Sequence, residues 1–143
     1  MLHFRWPAIA VAAVIVPLAG CGSHTSSVTN PQVIAVHDSA NGTTVSARVG
    51  DTVVLTLSSS YWHVAGSSAP RILRQYGPAA LLPRPSDCPA IPGLGCVPIR
   101  VTFKALTDGT AIVKASRTTC GEALRCGKQA THFTLTVLVK PSS

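Results

Sequence analysis

Residues 100–105 read Arg-Val-Thr-Phe-Lys-Ala, and residues 133–140 read Phe-Thr-Leu-Thr-Val-Leu-Val-Lys. In the first, Val101, Phe103 and Ala105 alternate with Arg100, Thr102 and Lys104. In the second, Phe133, Leu135, Val137 and Val139 alternate with Thr134, Thr136 and Lys140. Successive side chains of a strand point to opposite faces, so such alternation marks a strand with one face buried. The same period recurs where Val53, Leu55 and Leu57 alternate with Thr52, Val54 and Thr56, and where Ala111, Val113 and Ala115 oppose Lys114 and Ser116. No window of twelve residues carries a helical period, and a turn of helix around 77–82 is the most the pattern allows. The spacing predicts seven or eight short strands, near 33–38, 43–49, 52–57, 61–65, 71–75, 99–105, 110–117 and 131–140. Asn41-Gly42 and Asp108-Gly109 read as hairpin turns, and Val49-Gly50-Asp51 breaks another strand pair. A sheet with one apolar face must bury it against another sheet, so the expected fold is all-β, an antiparallel β-sandwich.

Three segments interrupt this rhythm. Ser58 to Pro70 carries the adjacent Tyr61, Trp62 and His63. Gly77 to Pro98 holds six prolines and the pair Cys88 and Cys96. Arg117 to Lys128 holds Cys120 and Cys126. A structureless loop of about 20 residues is unusual in a small domain and is commonly functional. The prolines and a crosslink argue that the 77–98 segment is ordered.

The first twenty residues set a compartment. Arg5 precedes an apolar run from Pro7 to Ala19, too short for the roughly 20 residues a spanning helix needs. Leu18-Ala19-Gly20-Cys21 follows, in the layout of a signal peptide. These four residues resemble the bacterial lipobox, which implies lipidation of Cys21 on its sulfur and a place on the outer face of the cytoplasmic membrane. Expected boundaries are therefore a signal peptide over 1–20, a flexible Ser/Thr-rich tether over 21–32, and a β-sandwich domain over 33–143, long enough for a proper core. Four cysteines remain in an exported chain, which reads as two disulfides with three possible connectivities. The local pairing Cys88–Cys96 and Cys120–Cys126 is favoured because each pair sits in one turn-rich segment. The spacing C-x7-C and C-x5-C misses that of structural zinc sites, so no metal is expected.

Twelve Lys and Arg stand against five Asp and Glu, for a net charge of +7. They are scattered without a run of three, as on a solvated surface; the functional alternative is attraction to anionic lipid headgroups or acidic wall polymers. No basic stripe alternates with aromatics, so nucleic acid is not an expected partner. Catalysis finds little material. The histidines are isolated, a paired-carboxylate mechanism is poorly supplied, and no elbow places a Ser-His-Asp set. The reading is of a protein that is not an enzyme and needs no cofactor.

What remains is a loop surface. Tyr61, Trp62 and His63 are consecutive, so an extended chain cannot turn all three inward. One arrangement plugs the core with Trp62 and leaves Tyr61 and His63 at the rim; the other makes them contacts for a partner, since aromatics on rigid loops carry much binding energy. Arg117 and Glu122 would pair locally or present charge.

The order of these elements resembles the chagasin-type inhibitors of papain-like cysteine proteases, an immunoglobulin-like sandwich family. The match begins at Val49-Gly50-Asp51-Thr52, continues through the strand ending at Leu57 to Tyr61 and Trp62, and resumes at Gly93-Leu94-Gly95. It then passes through Phe103-Lys104-Ala105 and Gly109 to Arg117. The resemblance implies that three loops at one end of the sandwich face a protease cleft, with Tyr61, Trp62, His63, Gly93, Gly95, Arg117 and Glu122 as candidate contacts. Here Ser58-Ser59-Ser60 stands where the family has Asn-Pro-Thr-Thr-Gly, and Arg117-Thr118-Thr119 where it has Arg-Pro-Trp. The composition also looks like that of envelope lipoproteins of high-GC Gram-positive, actinobacterial-type bacteria. The expected function is thus a membrane-anchored binding module for an envelope protein or polymer; the alternative is an inhibitor of papain-like proteases, and a third reading is a structural envelope protein with no dedicated ligand.

Overall fold

A computed structural model describes residues 30–117 and 131–142. The signal segment, Cys21 and most of the expected tether lie outside the described residues, as do Cys120, Glu122 and Cys126. Nine strands are described: β1 (Val33–Val36), β2 (Thr44–Arg48), β3 (Thr52–Leu57), β4 (Trp62–Ser67), β5 (Leu73–Gln75), β6 (Ala80–Leu81), β7 (Ile99–Ala105), β8 (Gly109–Arg117) and β9 (His132–Lys140). They form two sheets. The first runs β1-β3-β7-β5, with β6 also on β7; the second runs β2-β9-β8-β4.

The alternation read from the sequence decides what lies between the sheets. Val53, Leu55 and Leu57 of β3, Val101 and Phe103 of β7, Val113 of β8 and Leu135 and Val137 of β9 are all buried. Their polar neighbours point outward. Each large apolar side chain removed from water contributes about 1.5–3 kcal/mol. The β-sandwich is the expected one.

Its sheets are not purely antiparallel. β1 runs parallel to β3, with Val33 beside Thr52 and Val36 beside Leu55. β2 runs parallel to β9, with Thr44 beside Thr136 and Arg48 beside Lys140. The cause is the path of the chain. It crosses between sheets after β1, after β2 and after β3, so each of the first two strands settles beside a strand running its own way. For the same reason Asn41-Gly42 and Asp108-Gly109 are not hairpin turns: each carries the chain from the first sheet to the second. Val49-Gly50-Asp51 carries it back. A turn motif encodes a reversal of direction, which serves a crossing as well as a hairpin.

Two smaller expectations also shift. The 77–82 segment forms no helical turn; Ala80 and Leu81 add a short strand against Arg100 and Ile99. The helical element described is a single 3-10 turn at Asp38–Ala40. It sits in the β1–β2 crossing, where Asn41 braces β9 by donating from Nδ2 to the His132 carbonyl and accepting from the Thr134 N–H at Oδ1.

Candidate functional site

The strand registers bring the 58–61 turn, the 82–98 loop and the adjoining ends of β8 and β9 to one pole. Leu57 at the end of β3 pairs with Ile99 at the start of β7, so the 58–61 turn lies beside the 82–98 loop. Trp62 at the start of β4 pairs with Arg117 at the end of β8. The Arg117 N–H donates to the Thr131 carbonyl at 2.9 Å, which closes the base of the β8–β9 connection at the same pole.

The first two segments are fastened to each other. The Ser60 N–H donates to the Gly95 carbonyl at 3.0 Å, and the Tyr61 hydroxyl donates to the Gly93 carbonyl. Tyr61 also lays its ring on Gly95. A Cβ there would stand 2.3 Å from Tyr61 Cε2, and the backbone has φ +68°, so only glycine fits without displacement. Beneath them, buried Ser59 accepts the Tyr61 N–H at Oγ, at 3.2 Å, and Asp38 accepts the Ser58 N–H at 2.9 Å. Three consecutive serines thus supply short polar side chains and backbone donors that fix a tight turn.

The 82–98 loop holds itself. Cys88 and Cys96 are disulfide-bonded, with Cα atoms 5.8 Å apart, and this is the first of the two expected local crosslinks. Arg84 folds over the closed ring and donates from Nη1 to the Pro89 carbonyl at 2.7 Å. The Leu82 N–H donates to the Pro98 carbonyl at 2.9 Å, fixing the two ends of the loop together. An open groove of about 310 Å³ runs between Tyr61, Arg84, Ile91 and Leu94. Exposed apolar side chains stand on its rim: Tyr61 is 41% exposed, Ile91 58% and Leu94 43%.

Trp62 faces the other way. It is buried, meets Phe133 edge-on with ring centroids 6.4 Å apart, and lies under the Arg117 guanidinium. Its indole Nε1 has no hydrogen-bond partner among the described residues. Trp62 is therefore a core plug, while Tyr61 and His63 flank it at the exposed rim. Of the residues named from the sequence, Tyr61, Gly93, Gly95, His63 and Arg117 come together at this pole. Glu122 is outside the described residues. The link from Tyr61 to both glycines was not read from the sequence, because nothing in a Gly-x-Gly announces which ring will lie on it. No group of three or more His, Cys, Asp or Glu positioned to hold a metal occurs among the described residues.

Two solved structures share this architecture. The crystal structure of the cysteine protease inhibitor EhICP2 from Entamoeba histolytica matches 78% of this chain and 99% of its own, at 12% identity and a TM-score of 0.54. The solution structure of amebosin matches 78% of this chain and 100% of its own, at 18% identity and a TM-score of 0.52. No protein-family model and no curated protein matches the sequence. At such identities the likeness establishes the fold, a chagasin-like β-sandwich.

Proposed function

We propose that this chain is a non-enzymatic binding module that inhibits papain-like cysteine proteases by inserting its loop pole into the catalytic cleft. The observation that carries the reading is the brace between the 58–61 turn and the crosslinked 82–98 loop, made by Tyr61 on Gly93 and Gly95. Two loops fixed to one another lose little conformational freedom on binding, which is what a wedge entering a cleft needs. The exposed Tyr61, Ile91 and Leu94 give that wedge an apolar edge, and apolar and aromatic anchors seated in pockets carry most of an interface's energy. That EhICP2, which shares the fold, is a cysteine protease inhibitor supports the same reading. In this proposal the chain is exported, lipidated at Cys21 and held at the outer face of the cytoplasmic membrane, a reading that rests on Leu18-Ala19-Gly20-Cys21. The test is titration of the Cys21→Ser chain, beginning at position 21, against papain with a peptide substrate. Stoichiometric inhibition is expected. An absence of inhibition, with an envelope protein or polymer captured through the same pole, would give the surface a different partner.

A further inference from the structure

The end of the sandwich opposite the loops gathers positive charge. Arg48 and Lys140 are register neighbours at the ends of β2 and β9. Across the sandwich, Arg74 of β5 pairs with Lys104 of β7, which in turn pairs with Thr52 at the start of β3. The two clusters lie on the outer faces of opposite sheets and flank the 48–51 turn, whose backbone links the sheet ends: the Gly50 N–H donates to the Ala105 carbonyl and the Val49 N–H to the Lys140 carbonyl. Arg71 is at the same pole, its carbonyl accepting from the Thr107 hydroxyl. Arg48, Arg71, Arg74 and Lys140 are exposed and Lys104 half-buried. Among the described residues two carboxylates lie at this pole, exposed Asp108 and buried Asp51, whose oxygens accept the Gln32 and Arg48 N–H groups at 2.8 and 2.7 Å, so the five cations outnumber the acids.

This is also the pole at which the chain enters the fold, because Val33 at the start of β1 lies beside Thr52. Twelve residues separate the apolar stretch ending in Leu18-Ala19-Gly20 from Val33, a span of at most about 40 Å when extended. Whatever brings the N-terminal stretch to a bilayer brings this pole first.

We propose that the pole formed by Arg48, Arg71, Arg74, Lys104 and Lys140 is a docking surface for anionic phospholipid headgroups, which turns the loop pole away from the membrane. Lys and Arg side chains near an anionic bilayer each strengthen attachment about fivefold, within a Debye length of the surface. The docking is independent of the inhibitory reading, and independent of lipid on Cys21.

The Cys21→Ser chain from position 21 contains every described strand and tests the surface without an anchor. Its partition onto mixed phosphatidylglycerol–phosphatidylcholine vesicles should far exceed that onto phosphatidylcholine alone and fall steeply with added salt. Arg48→Gln with Lys140→Gln, and separately Arg74→Gln with Lys104→Gln, should each lower it by about tenfold or more. Arg100→Gln with Lys114→Gln removes the same charge away from the pole and should change it by less than about threefold. Thermal unfolding reports on the fold of each variant, and either pole pair suffices. Equal losses from all three pairs, or no preference for the anionic vesicles, would overturn the proposal. So would undiminished binding to soluble polyphosphate by a chain that ignores vesicles.

Discussion

The guanidinium carbon of Arg117 lies 4.7 Å from the centroid of the Trp62 ring, and the two residues are direct partners across β4 and β8. The ring contributes packing on its buried face and a π cloud to the cation on the other. The two contributions differ in size. A buried indole truncated to alanine leaves a cavity worth about 3–5 kcal/mol, whereas a partly exposed cation–π contact is worth about 0.5–1 kcal/mol. Trp62→Ala should therefore lower unfolding stability by the larger amount and Arg117→Ala by less, as read by chemical denaturation. Comparable losses from both would show that Arg117 carries more of the core than its stacking supplies.

Gly95 and Tyr61 should prove energetically coupled. Gly95→Ala meets both a positive φ and the Tyr61 ring, and should cost about 1–3 kcal/mol. Removing the ring relieves the second cause and leaves the first. The double variant Tyr61→Ala, Gly95→Ala should then be less destabilised than the sum of the singles, by more than about 0.5 kcal/mol. Strict additivity in the cycle would place Tyr61 elsewhere.

The Cys88–Cys96 crosslink closes a short ring, for which the chain-entropy estimate gives about 2–3 kcal/mol. Replacing both cysteines with alanine should reduce stability by that amount. It should also open the 82–98 loop to limited proteolysis, with cleavage confined to that segment while the paired strands stay protected. Cleavage spread over the strands would mean that the loop is integral to the fold.

Much of this architecture was legible in the sequence because burial has a period. The alternation at Val53–Leu57, Val101–Ala105 and Phe133–Val139 follows directly from which face meets the other sheet, and these residues are the core. Partner choice has no such period. Nothing in Val33–Val36 or Thr44–Arg48 says that they will run parallel to β3 and β9, since ladder pairing uses backbone groups that every residue has. Ala80–Leu81 was missed for a related reason: two exposed residues between prolines show no alternation, and β7 alone makes them a strand. At the loop pole the sequence named Tyr61, Gly93 and Gly95 separately, while the contact joining them spans a sequence separation of 32 residues and exists only once β3 and β7 are side by side.

Asp51 should be a structural carboxylate whose loss is felt at the charged pole. It is buried and accepts the N–H groups of Gln32 and Arg48, and these tie the chain's entry to the β2–β3 crossing. Asp51→Ala strands both donors and should cost about 1–3 kcal/mol, measured by denaturation. Asp51→Asn keeps one acceptor oxygen and should cost less. An alanine variant as stable as the parent would show that water replaces the carboxylate at no expense.

Tyr61 offers the sharpest test of the loop pole, because its ring and its hydroxyl do different things. Tyr61 is 41% exposed, which leaves part of its ring available to a partner, while the hydroxyl is spent on the Gly93 carbonyl. If the ring is an anchor, Tyr61→Ala should weaken papain inhibition by about tenfold or more, the loss expected of a central aromatic contact. Tyr61→Phe keeps the ring on Gly95 and removes only the hydroxyl's bond to the Gly93 carbonyl. It should cost inhibition a smaller factor, appearing mainly as a slower association once the loop must be ordered on binding. Both variants should unfold within a few degrees of the parent, since Trp62 rather than Tyr61 fills the core. An alanine variant that inhibits as well as the parent would remove Tyr61 from the interface. A phenylalanine variant as weak as alanine would make the hydroxyl's bond to Gly93, and not the exposed ring, the element on which inhibition depends.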